Sequence, residues 1–327
     1  MQKGKNVELN DIYAPVKNDL VKVEEKLNSI SKVDFSHLAE LVDYSLKNTG
    51  KMIRPALTLL AGKFYNYNLD LLLNMATSVE VMHTATLVHD DAIDHSATRR
   101  GRSTIYKLWG DEQAVLLGDY LFAEAGGLCA STENLRVISQ FSATLKTISS
   151  GEIDQAYHSF NPEQSRDKYF SRIAKKTAAL FSLSTESGAV LSDAPEESIQ
   201  ILVDYGYNLG VAFQMVDDIL DFTSTEDELG KPVGSDLTQG TITLPSLMIM
   251  EKFPEDNPVV KLFENKGGQA EIDKAIDIVK NSGIVDECYE IAENYCQKAC
   301  RNINKLHVCE VRTCLEELAN YMIIRKK

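Results

Sequence analysis

Over most of its length this chain offers nothing to stop a helix. Its 327 residues include only 8 prolines and 18 glycines, and the apolar residues between them recur at intervals of three and four. Leu20, Val21, Val23, Leu27 and Ile30 follow that spacing, and Leu71, Leu72, Met75, Val79 and Met82 repeat it further along. No segment alternates apolar and polar residues with period two between hairpin turns. The pattern predicts about a dozen helices and no sheet, an all-α bundle forming a single domain over residues 1–327. Helix starts are expected at Asn161-Pro162, where Gln164 would complete a capping box, and at Pro195-Glu196-Glu197, where acids fill the first turn. Residues 223–240 hold three glycines and a proline and read as one long loop, of the kind that is usually functional.

Charge narrows the function. Against 48 acidic side chains stand 34 basic ones, a net −14, which argues against nonspecific nucleic-acid binding. A 44% hydrophobic composition excludes wholesale disorder. The first ten residues are polar and no run approaches ~18 apolar residues, so neither an export signal nor a membrane span is expected. The protein reads as cytoplasmic, with Cys129, Cys288, Cys296, Cys300, Cys309 and Cys314 reduced. The last four lie near His307 but lack the close spacing of a zinc knuckle, and are expected as buried thiols.

The chemistry is concentrated in two matching acidic clusters. Val88-His89-Asp90-Asp91-Ala92-Ile93-Asp94 is answered by Met215-Val216-Asp217-Asp218-Ile219-Leu220-Asp221. On a helix, residues four apart share a face, so Asp90 pairs with Asp94 and Asp217 with Asp221. Like charges gathered at a helix C-terminus oppose the macrodipole and call for cations. Hard divalent ions bridging to substrate phosphates are the natural partners, Mg²⁺ above all. Basic groups match them. Arg99 and Arg100 follow the first cluster closely, and two guanidiniums grip a diphosphate well. Lys51 and Arg54, three apart, are expected on one helix face. Lys175, Lys176 and Lys231 add further cations in an acidic chain.

With these residues the chain resembles the trans-isoprenyl diphosphate synthases, the polyprenyl synthetases, from about Lys51 to Pro245. The resemblance is carried by GKMIRP, HTATLVHDDAIDHSATRRG, GEIDQ, KKTA, FQMVDDILD and LGKPVGSDL. It implies a homodimer of large helical bundles, each with a deep cavity between the aspartate clusters. Asp90, Asp91, Asp94, Asp217 and Asp221 would hold Mg²⁺, about three ions per site, with Asp218 supporting them from behind. Arg99, Lys176, Gln214 and Lys231 would contact an allylic diphosphate such as farnesyl diphosphate. Lys51, Arg54, His83 and Arg100 would bind isopentenyl diphosphate, and Thr177 and Gln155 would face the reacting carbons. The implied reaction is ionisation of the allylic C–O bond, attack by the isopentenyl double bond and loss of a proton.

In this family, bulk just before the first cluster limits the product. Ala85 and Thr86, five and four residues before Asp90, are both small. That resembles the long-chain members of the octaprenyl diphosphate synthase type, with roughly six to ten isoprene units for quinone side chains. Phe141 is the candidate for a deeper floor, 14 residues before Gln155 on one expected helix. The competing readings are a farnesyl or geranylgeranyl diphosphate synthase, a class I terpene cyclase and a noncatalytic partner subunit. Ala85 argues against the first, the complete second cluster against the other two.

Overall fold

A computed structural model describes residues 8–47, 50–229, 232–264 and 267–324, and helices fill most of them. The class is all-α, as expected. The two longest helices, Leu69–Ile93 and Glu196–Thr223, each end at one aspartate cluster. Leu69–Ile93 packs along Asp111–Ala130 and against Ile53–Gly62; Ala179–Val190 bridges Ile53–Gly62 and Glu196–Thr223. The Ile53–Gly62 contact is close because Gly188 faces it: a Cβ there would stand 2.2 Å from the Thr58 carbonyl oxygen. Glu196–Thr223 then packs on Ile284–Ile303. Two buried apolar clusters result, and Tyr295 and Ile323 pack against both.

Position in this assembly explains composition. Leu69–Ile93 is long and apolar enough to cross a membrane, with a mean hydropathy of 1.2 over its best window, yet 67% of that window is buried inside the fold. Leu71, Leu72, Met75, Val79 and Met82, which carry the apolar spacing in the sequence, all lie on it. It is apolar because neighbours cover it on several sides, as expected of a central core helix.

Other expectations are corrected. Thr98–Arg99 and Arg102–Ser103 form a two-stranded antiparallel ladder. Arg100 (φ 51°) and Gly101 (φ 72°) are its turn residues, and two successive positive φ values match a tight hairpin turn. Residues 223–240 are no continuous loop, since Glu226–Leu229 and Ser235–Thr238 are short helices. The predicted cap at Asn161 bonds only the Glu163 N–H, at 2.8 Å. The helix starts later, at Arg166, where Ser165 Oγ accepts from Lys168 N. Lys51 and Arg54 do not share a helix face. Met52 takes a left-handed conformation (φ 51°) and the helix begins only at Ile53. Finally, Ala174–Ala178 is a π-helical turn between Arg166–Ile173 and Ala179–Val190. No local signal in AKKTA announces it, and such turns recur at functional sites.

Candidate active site

The first cluster lies where Leu69–Ile93 ends. Asp94 caps it, its N–H donating to the Asp90 carbonyl at 2.8 Å. Upstream, His89 Nε2 donates to the Val115 carbonyl at 3.0 Å, which ties the cluster to the Asp111–Ala130 helix. Its imidazole occupies the space over Gly118, where a Cβ would come within 2.0 Å of the ring. The hairpin then turns Arg99 back so that its Nε donates to Asp91 Oδ1 at 2.8 Å. Burial pushes the Asp90 and Asp91 carboxyls up to about 6. Glu152 opposes ionisation of Asp90 while Lys176 and Arg99 favour it. Asp94 is also raised, by burial, by Asp90 and by Asp236.

The second cluster divides its labour. Asp218 is buried and accepts from Tyr169 OH (2.7 Å) and Gln214 Nε2 (2.8 Å), and Thr177 Oγ1 donates to Gln214 Oε1 at 2.7 Å. Burial first, then Asp236, pushes Asp218 up to about 7. Asp221 folds the following segment back: its carboxylate accepts from Ser235 Oγ at 2.8 Å and from Asp236 N at 3.3 Å. Asp217 acts electrostatically on Arg100, as does Asp91 of the first cluster. Asp236 acts on both Asp94 and Asp218. The two helix ends therefore bracket one space.

Lys176 faces the first cluster, favouring the charge of Asp90 and Asp94. Its ammonium is 2.7 Å from Glu152 and donates to Gln155 Oε1 at 3.0 Å. A cleft open to solvent is lined by Glu80, His83, Asp91, Arg99 and Arg100 among others. Arg100 turns away from Arg99 and lies against Gly50, whose added Cβ would meet its guanidinium at 2.6 Å. Arg54 stacks 4.9 Å from the Phe181 ring centre. Burial, then Arg54, Arg100 and Arg99, hold His83 well below its usual range, so its imidazole is neutral. Glu80 is buried, and burial pushes it up to about 7 against the pull of Arg54 and Arg100.

Of the expected site residues, Lys231 lies outside the described ones. Ala85 is fully buried, Thr86 is partly buried with its hydroxyl on the His83 carbonyl (2.7 Å), and Phe141 is buried with its ring edge toward Gly126. Phe141 and Gln155 do share the Leu135–Tyr157 helix. Sequence reasoning passed over Glu80, Glu152, Tyr169 and Asp236. Glu80 left a signal, an acid in the middle of an otherwise apolar helix three residues before His83.

Among the described residues no three acidic, His or Cys side chains converge enough to hold a metal ion alone. The donors nonetheless fit Mg²⁺, which is usually held by one or two carboxylates together with substrate phosphates. The cysteines differ: all six are free, and burial pushes Cys288 up to about 12 and Cys129 and Cys314 to about 11.

A family model described as polyprenyl synthetase matches residues 35–279. Heptaprenyl diphosphate synthase component 2 of Bacillus subtilis is 36% identical over 96% of this chain and 90% of that protein. The all-trans-nonaprenyl-diphosphate synthase (geranyl-diphosphate specific) of Rhodobacter capsulatus is 34% identical over 96% and 97%. Among solved structures, a polyprenyl synthase from Caulobacter crescentus complexed with calcium and isoprenyl diphosphate superposes with a TM-score of 0.94. It is 30% identical, covering 99% of this chain and all of that one.

Proposed function

Because this chain belongs to the polyprenyl synthetase family, we propose that it lengthens an allylic diphosphate by successive 1′-4 condensation with isopentenyl diphosphate. The product is an all-trans polyprenyl diphosphate of roughly six to ten isoprene units, of the kind used in quinone side chains. One observation carries the reading: Asp91 and Asp217, from opposite clusters, act on the same Arg100, with Arg99 hydrogen-bonded to Asp91. Carboxylates and guanidiniums are thus interleaved, an arrangement for two diphosphates and their counter-ions.

Asp90, Asp91, Asp94 and Asp217 would hold Mg²⁺, which when bound stabilises charge on a leaving diphosphate. Asp221, which accepts from Ser235 Oγ and Asp236 N, would complete that set from the second cluster. Arg99 and Lys176 grip the allylic diphosphate so that its C–O bond ionises. Lys51, Arg54, Arg100 and neutral His83 hold isopentenyl diphosphate with its double bond toward the cation. A C–C bond forms, and the proton lost from the adduct passes to the departed diphosphate. Thr177 and Gln155, fixed by Gln214 and Lys176, line the path between the two carbons. No strong nucleophile is needed there, and exclusion of water protects the cation.

The chain is read as one domain and a homodimer. In support of the latter, Leu108, Val115 and Leu116, on neighbouring helices, are 49%, 48% and 56% exposed, an apolar patch that a second copy would cover. The test is a product assay with purified chain, Mg²⁺, labelled isopentenyl diphosphate and farnesyl diphosphate. The expected result is a ladder ending at one long product, and a farnesyl- or geranylgeranyl-length end point overturns the long-chain reading. The Bacillus relative's designation as component 2 favours a second reading, a catalytic half needing another polypeptide; incorporation by the chain alone removes it.

Length control yields a sharper expectation. Ala85 is fully buried on the helix leading to Asp90, so a large side chain there fills space a growing chain would use. Ala85→Tyr should shorten the product by several isoprene units and leave the first condensation near its parent rate. Chromatography of the products checks this, and an unchanged length removes Ala85 from the floor.

A further inference from the structure

Two tyrosines from opposite ends of the chain meet at Lys51. Tyr13 is buried, and its hydroxyl donates to the Lys51 carbonyl at 3.1 Å. Tyr321 belongs to the Glu310–Ile324 helix, and the Lys51 ammonium lies 5.6 Å from its ring centre, within cation–π range. That helix packs on both Leu9–Ile12 and Ile53–Gly62, the second being the helix into which the Lys51 turn leads. Neither tyrosine falls within residues 35–279, where the family pattern is matched.

The turn itself needs support. Gly50 (φ 67°) and Met52 (φ 51°) flank Lys51 in left-handed conformations, and for Met52 that is unfavourable without tertiary contacts. The Lys51 side chain is exposed, and its flexible four-carbon stem loses rotamer entropy whenever the ammonium is fixed. A carboxylate could fix it only by competing with an incoming diphosphate. An aromatic face attracts the ammonium through its quadrupole and leaves the net charge intact.

We propose that Tyr321 is a positioning residue for the isopentenyl diphosphate subsite: its ring holds the Lys51 ammonium ready for the diphosphate, while Tyr13 secures the backbone beneath it. The inference rests on the reading of Lys51 as a ligand of that diphosphate. The C-terminal helix thereby becomes part of the substrate site rather than only a packing element.

The experiment is calorimetric titration with isopentenyl diphosphate alone in Mg²⁺, where no condensation occurs, combined with KM for each substrate. Tyr321→Leu should weaken isopentenyl diphosphate binding about three- to fivefold and raise its KM in step. The farnesyl diphosphate KM and kcat should stay at parent values. Tyr321→Phe, which keeps the ring, should bind as the parent does and guards against a folding artefact. In a Lys51→Gln background, Tyr321→Leu should add nothing. If Lys51→Gln weakens binding and Tyr321→Leu does not, or if the two losses simply multiply, the positioning role is wrong. If Lys51→Gln itself leaves binding unchanged, the subsite reading falls, and the inference with it.

Discussion

Asp90→Ala should lower kcat/KM for the allylic substrate by about 10²–10³-fold at saturating Mg²⁺, the usual loss when one group stabilising transition-state charge is removed. Asp90 sits where opposing influences meet. Burial and Glu152 press its carboxyl toward neutrality; Lys176 and Arg99 pull the other way. A buried carboxylate so placed is costly to keep and is found where a cation will neutralise it. Without it, neighbouring Asp91 stays committed to Arg99. The loss should fall on ionisation of the allylic partner, so isopentenyl diphosphate affinity, which the proposed subsite draws from Lys51, Arg54, His83 and Arg100, should hold within about twofold. Product length should not change, because Asp90 acts before elongation depth matters. Steady-state kinetics over a Mg²⁺ series, with chromatography of the products, checks all three statements, and near-parent turnover removes Asp90 from the metal site.

Legibility in the sequence followed the range of the interaction. Both DDxxD clusters and their placement at helix ends rest on helical spacing, which local pattern carries; KKTA and GEIDQ are legible only through the family resemblance. Pairings across the fold do not. Nothing near Asp218 announces Tyr169, 49 residues away, and nothing near Asp94 announces Asp236. Short elements were missed for a different reason. Two-residue strands are below the length at which alternation shows, so the hairpin that sends Arg99 toward Asp91 and Arg100 toward Gly50 was invisible. That hairpin matters, since it sets adjacent arginines against different partners, one on Asp91 and the other beside Gly50. The π turn at Ala174–Ala178 was hidden likewise, one extra residue in an otherwise continuous helical pattern, and it is this turn that carries Lys176 and Thr177. Lys51 and Arg54 were misread as one face because a left-handed Met52 is rare outside special turns.

Replacing Glu80 with glutamine should stabilise the Mg²⁺-free protein, and increasingly so as the pH rises. Glu80 is 3% exposed beneath Arg54 and Arg100, and its carboxyl is pushed up to about 7, burial outweighing both guanidiniums. In the unfolded chain the same group titrates near ~4.3. Below that pH the carboxyl is protonated in both states, and its contribution to stability is constant. Between ~4.3 and 7 the folded protein retains the proton and the unfolded chain releases it, so each rise in pH favours unfolding by about 1.4 kcal/mol per unit. Above about 7 both states are ionised and the loss is complete. Glu80→Gln carries no titrating group and escapes the loss. Its advantage over the parent should therefore grow by about 3 kcal/mol between pH 4.5 and pH 8, on the order of 4 °C in Tm for a chain of this length. Calorimetric melts of both proteins in chelator across that range give the difference directly, and a constant difference would mean that Glu80 stays ionised under its arginines throughout. The expected slope would show that this carboxyl weakens the fold at neutral pH, although Arg54 and Arg100 both favour its charge.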